Sequence, residues 1–175
     1  LELAHRLVEA SPAAETEVIV GASCDRFARF AASGPTQSAD RVLPRVQVRV
    51  RVERGGGLAE AQAVCDSLDP AGAQAALDRA LAFAAHGSVS KELVPLGGAT
   101  DVPACVGDAS VLDQGFGAMS EWVERALTKC EESDLLPAGL AQTTYDARAL
   151  ANSSGRSVDG SMSRVAFALT ASDPA

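Results

Sequence analysis

Residues 45–54 read RVQVRVRVER, and Gly55, Gly56 and Gly57 follow at once, before LAEAQAV at 58–64. Val46, Val48, Val50 and Val52 alternate with Arg45, Gln47, Arg49 and Arg51, a period of two that sends one row of side chains into a core and the other away from it. The glycine run has the backbone freedom for a tight reversal, and LAEAQAV alternates again. The stretch predicts a β-hairpin. Upstream, TEVIVGAS (16–23) and DRFARFAA (25–32) read as two further strands behind an amphipathic helix over residues 1–10. The first third of the chain is therefore expected to be a small antiparallel sheet with a helix.

Downstream of the hairpin the period changes. Ser67-Leu68-Asp69-Pro70 is a helix start, with Asp69 as N-cap and Pro70 in the first position, where a missing N–H costs nothing. Ala73, Ala76, Leu77, Ala80, Leu81 and Ala84 then recur at spacings of three and four, and Gly87 stops the helix, so one is predicted over 70–86. From 88 to 112, Pro95, Gly97, Gly98, Pro103 and Gly107 interrupt every pattern, as in a connection between units. Met119, Trp122, Val123, Ala126, Leu127 and Cys130 form the stripe of a second amphipathic helix, with Trp122 in its core and Pro137 and Gly139 as its end. Extended segments are expected at 140–145, 148–152 and 161–171, with Asn152-Ser153-Ser154-Gly155 as a turn. The class is α+β: two small sub-domains, 1–87 and 113–175, each a largely antiparallel sheet with a packed amphipathic helix, joined by 88–112, the second one truncated.

The chain has 175 residues, 15 basic against 23 acidic side chains and a net charge of -8. That balance excludes holding nucleic acid by charge. No apolar run approaches the ~18 residues of a membrane helix, and residues 1–10 carry too much charge for a signal peptide. A cytoplasmic protein without membrane contact is expected. The four cysteines, Cys24, Cys65, Cys105 and Cys130, are too far apart for a zinc knuckle or a redox pair and read as reduced, mostly buried thiols.

His5 and His86 have no Glu, Asp or Cys at ligand spacing, so no metal site is expected within the chain. A serine or cysteine nucleophile would need one of these two histidines as its base, and Ser153-Ser154-Gly155 lacks the strained elbow of a GxSxG serine. Gly55–Gly57 is not followed by Lys-Ser or Lys-Thr, which removes a phosphate loop. Glu131, Glu132 and Asp134 read as a solvated helix end without a role. No catalytic or cofactor-binding residue is assigned. One cluster stands out: Arg41, Arg45, Arg49, Arg51 and Arg54, with Arg45, Arg49 and Arg51 on one strand face. Arg45, Arg49, Arg51 and Arg54 are the candidate contacts for an extended peptide or an acidic partner, against the alternative of a solvated face balanced by neighbouring carboxylates.

Taken in order, three stretches resemble the N-terminal portion of the TldD/PmbA (TldD/TldE) metalloprotease family. They are RVQVRVRVERGGGLAEAQAVCDSLDPAGAQAALDRALAFA (45–84), ALANSSGRSVDGSMSRVAFALTA (149–171) and DRFARFAASGPTQS (25–38), where Ala32-Ser33-Gly34 replaces the family's usual Asn-Gly turn. The likeness runs from about residue 16 to residue 171.

The resemblance implies a longer parent whose HExxxH helix lies outside this chain, so no zinc ligand and no general base carry over. Zinc is expected in the catalytic subunit of the family, and none in this chain. The resemblance further implies a homo- or heterodimer partner of the same family and an extended, unfolded peptide as substrate. The older label of gyrase modulator does not license DNA binding. The peptide would add to a strand edge, for which 45–54 and 161–171 are the expected places. The rival reading is a stand-alone α+β binding or assembly module that offers its arginine face to an acidic partner.

Overall fold

Val46, Val48 and Val50 are fully buried in the structure, a computed structural model that describes residues 1–31, 34–103 and 105–174. They lie on strand β2 (Gly34–Arg54), which pairs antiparallel with β3 (Gly57–Cys65) from Arg54↔Gly57 to Val46↔Cys65. Gly55 and Gly56, at φ 56° and 77°, are the two central residues of the hairpin loop. Both left-handed positions suit a two-residue loop whose twist matches the strands, and both need glycine.

Helix α2 (Pro70–His86) has the bounds that its period predicts. The Gly72 N–H donates to Asp69 Oδ1 at 2.7 Å, and the Ser67 hydroxyl together with that N–H holds the Asp69 carboxyl below its ordinary value. Ala73, Ala76, Leu77, Ala80 and Ala84 form its buried face. So many alanines let the helix approach the β2 valines closely, and Ala4 and Leu7 of α1 (Glu2–Ala10) join the same core. Gly87 caps the helix in an extended conformation, φ -69°, rather than the left-handed one. The Arg54 guanidinium donates to the carbonyls of Ala85 and Gly87, which satisfies helix-end acceptors that a left-handed glycine cap serves elsewhere.

The remaining elements are β1 (Glu15–Ala31), β4 (Val89–Ser90), a 3-10 turn (Ala109–Leu112), α3 (Phe116–Glu131), β5 (Leu136–Asn152) and β6 (Ser157–Ser172). Six antiparallel strands are hydrogen-bonded in the order β4-β3-β2-β1-β5-β6, and with three helices the class is α+β. Ala32, Ser33, Ala104 and Ala175 lie outside the described residues, and with them the turn expected at 32–34.

Strands β2 and β6 start at Gly34 and Ser157, earlier than the expected 45 and 161, and three further differences stand out. Segments 16–23 and 25–31 belong to one 17-residue strand, β1, and 140–145 and 148–152 to another, β5. Polar side chains in and between these segments are satisfied across strands: Gln142 donates to Asp25 at 2.7 Å and Ser23 to Asp146 at 3.2 Å. Third, α3 ends before Pro137 and Gly139, which lie inside β5. The stop is Asp134 at φ 54°, with Leu135 N–H donating to Cys130 O at 2.9 Å and Asp134 N–H to Glu131 O at 3.1 Å. This is a Schellman closure with an aspartate where glycine is usual.

Contacts divide the chain into two units, each assembled from three separated segments. The first comprises 1–22, 44–105 and 147–160, and its core is the valine and alanine cluster under α1 and α2. The second comprises 23–43, 106–146 and 161–175 and centres on Phe30, Met119, Val123 and Ala141, with Trp122 packed against them. Phe167 of β6 stacks on Phe30 with ring centroids 5.8 Å apart. Of the four thiols, all free, Cys130 is buried and Cys105 exposed; the expectation of mostly buried cysteines fails at Cys105, which sits in the segment without a regular partner strand.

Candidate functional site

The arginine row on β2 is where the sequence places a contact surface, and three of its four residues have internal partners. Cross-strand register sets Arg51 opposite Glu60, to which its Nε donates at 2.7 Å. Its Nη1 donates to Glu15 at 2.7 Å and to the Val94 carbonyl at 2.6 Å, and the residue is only 6% exposed. Burial pushes Arg51 down, but the hydrogen bonds to Glu60 and Glu15 hold it above its ordinary value, so it stays charged. Arg49 is half-buried and donates to Glu17 at 2.5 Å, while its Nε is buried without a partner among the described residues. Arg54 caps α2. Arg45 is exposed and forms no ion pair among the described residues.

The strand carrying this row has neighbours on both sides, β3 and β1, so residues 45–54 offer no free edge for strand addition. A peptide can pair only with a strand that has an unsatisfied ladder, and the second expected place, 161–171, lies on one: β6 ends the sheet. Its side chains are unusually apolar for such a position. Val165, Phe167 and Leu169 alternate on one face at 53%, 44% and 43% exposure, and Met162 on the other reaches 55%. Edge strands are normally blunted by charge or proline; among residues 161–172 the one charge is Arg164. The alternation at 165–169 was readable in the sequence. Its exposure was not, because an identical pattern would serve a buried face.

Sequence reading missed a polar cluster in the second unit. Asp25, 7% exposed, accepts from Arg41, from Gln142 and, at 3.5 Å, from Thr144. Burial works against its charged form, but the hydrogen bonds of Arg41 and Gln142 and the Arg41 charge hold the carboxyl below 3.8. The native state thus binds its proton less readily than the unfolded chain, so this stabilisation is fully present above pH 3.8 and is lost as pH falls through the lower native value. Asp25→Asn is expected to cost about 1.5 kcal/mol at pH 7 and to flatten the acid limb of stability against pH. Urea titrations between pH 2 and pH 7 check this; an unchanged acid limb removes the assignment.

His5 Nε2 lies 2.9 Å from Ser157 Oγ, the spacing of a base and a nucleophile. The pair is exposed, and no carboxylate is seen to orient the imidazole among the described residues, so it is a surface hydrogen bond. His86 sits at the exposed end of α2. No group of three or more His, Cys, Asp or Glu among the described residues is arranged to hold a metal ion. The residues present do not fit the zinc that the resemblance assigns to the family's catalytic subunit. Among the described residues no helix is long and apolar enough to cross a membrane.

No protein-family model and no curated protein matches the sequence. Solved structures do. TldE from Thermococcus kodakarensis matches with a TM-score of 0.70 at 16% identity over 97% of this chain and 42% of that one. A protein named for modulation of a DNA gyrase, from Thermotoga maritima, matches with 0.72 at 13% identity over 97% and 42%. Another of that name, from Bacteroides thetaiotaomicron, gives 0.70 at 12% over 97% and 40%. This chain therefore spans about two fifths of the length of the structures it matches. At these identities the likeness is one of fold, and the fold of this chain is that of a portion of a TldE- or gyrase-modulator-type protein.

Proposed function

We propose that the chain is the non-catalytic N-terminal scaffold of a TldD/PmbA-like zinc metalloprotease, where it holds an extended peptide and contributes to association with a subunit of the same family. The observation that carries this reading is the fold likeness over 97% of the chain to TldE and to the gyrase-modulator proteins. Zinc and the general base belong, on this reading, to polypeptide outside these residues. What this part supplies is the free ladder of β6, whose backbone groups pair with a peptide of almost any sequence while Val165, Phe167 and Leu169 take alternate side chains. The rival, an arginine face for an acidic partner, is left with Arg45, because Arg49, Arg51 and Arg54 are already engaged.

Proline scanning tests the edge. Successive N–H groups of a strand point to opposite sides, so of Val165→Pro and Ala166→Pro one removes a bond to β5 and the other only a donor at the free edge. The first is expected to lower stability by about 3 kcal/mol. The second is expected to leave the protein folded and to weaken binding of a dye-labelled extended peptide about tenfold, read by fluorescence anisotropy. Undiminished affinity in the folded variant would sink the edge assignment, and peptide cleavage by the purified chain alone would sink the scaffold reading.

A further inference from the structure

The edge of β6 is not uniform along its length. Within the second unit, the residues just ahead of the 3-10 turn lie against the strand at Ser161–Ser163. Gly107 N–H donates to Ser161 Oγ and Asp108 N–H to Ser163 Oγ, both at 3.0 Å. A Cβ built at Gly107 would fall 2.6 Å from Met162 C and Ser163 N and 2.9 Å from Met162 Cα, all of them main-chain atoms. A chain stacked on the face of a sheet stands off by about 10 Å, and a neighbour in its plane by about 4.8 Å. Contact this close sets Gly107 beside β6, and the other side of that strand belongs to β5.

These residues are anchored where they lie. The Asp108 carboxylate accepts from Ser110 N–H at 2.9 Å, and Val111 is buried. Arg26 donates to the carbonyls of Leu112 at 3.3 Å and Gln114 at 2.6 Å, which holds the downstream end. The Gly107 and Asp108 N–H groups go to hydroxyls instead of the β6 main chain, so they add no further strand on which a peptide could continue. Ser161 and Ser163 are half-buried beside them, whereas Val165, Phe167 and Leu169 are exposed.

We infer that residues 107–108 are an end-stop for the peptide ladder of β6, held in place by the Ser161 and Ser163 hydroxyls. A bound strand pairs only from Arg164 onward, and the stop sets both its register and the length that contributes to affinity. The inference rests on the strand-addition reading of β6 and deepens it. Because β6 runs to Ser172, the usable ladder is 164–172, and residues of a longer peptide find nothing to pair with.

The probes are fluorescein-labelled alternating threonine–valine peptides of about nine and about thirteen residues, followed by anisotropy. The wild-type protein is expected to bind the two with affinities within about twofold of each other. Ser161→Ala with Ser163→Ala removes both acceptors, and Gly107→Ala drives the segment off the β6 main chain. Each variant is expected to bind the longer peptide about tenfold more tightly than the shorter. Without peptide, amide hydrogen exchange at residues 107–108 is expected to quicken about tenfold in the serine variant. Tighter wild-type binding of the longer peptide, equal binding of the two by the serine variant, or unchanged exchange overturns the end-stop and leaves the edge standing. Binding of neither peptide by any of the three proteins removes strand addition itself, and the stop with it.

Discussion

Gly139→Val is expected to cost at least about 3 kcal/mol and to unfold the second unit well before the first in urea. Gly139 lies in β5, and a Cβ built there would fall inside 3.0 Å of both the Ala168 carbonyl oxygen and the Phe30 ring. Neither neighbour can give way cheaply. The oxygen is main chain of β6, and the ring is 2% exposed, stacked on Phe167 and packed in a core with Met119 and Val123. Relief therefore requires β6 to move away or the Phe30–Phe167 stack to open, and each exposes the core of this unit. Trp122, the one tryptophan of the chain, packs on that core and reports its loss by fluorescence. Gly117→Ala serves as the control, because a Cβ there meets nothing within 4 Å and the position is helical. It is expected to stabilise by about 0.5 kcal/mol. A Gly139→Val protein with wild-type fluorescence and urea midpoint would refute the packing argument.

Arg51→Ala is expected to be nearly as damaging, at about 3 kcal/mol. The loss does not come from three attractive contacts alone. Removing the guanidinium strands Glu15 and Glu60 and leaves the Val94 carbonyl without its donor. Glu15, at 20% side-chain exposure, is the more costly of the two, since Glu60 at 34% keeps more of its solvent. Arg51→Met combined with Glu15→Gln and Glu60→Gln should therefore recover most of the loss, as charges that are absent cannot be stranded. The same variant probes the 91–105 segment, which Arg51 pins at Val94. Tryptic cleavage after the exposed Lys91 is expected to accelerate in Arg51→Ala and not in Arg45→Ala, whose side chain has no partner among the described residues. If both variants behave like wild type, Arg51 does not hold Val94 and its neighbouring carboxylates in solution.

Legibility from the sequence followed how local each cause is. Helix α2 was readable to the residue and the hairpin at 45–64 in its pairing, though β2 runs back to Gly34 and Gly57 already belongs to β3, because period, N-cap and loop glycines act within a few positions. The end of α3 was misread at Pro137 and Gly139, since the actual stop is an aspartate in a conformation that glycine usually takes. The candidate sites divide along the same line. The arginine row was visible as a pattern, but whether those charges face a partner or Glu15, Glu17 and Glu60 depends on which strands flank β2.

From its residues alone, the protein was determined to be an α+β chain of amphipathic helices and alternating strands, with 15 basic against 23 acidic side chains. The tertiary structure alone decided that β2 lies inside the sheet and β6 at its rim, and that 16–23 with 25–31 and 140–145 with 148–152 each form one strand. The reason is physical: alternation specifies which side chains share a face, but the neighbour relation of β1 and β5 joins segments more than a hundred residues apart. Those contacts leave no periodic trace in the chain.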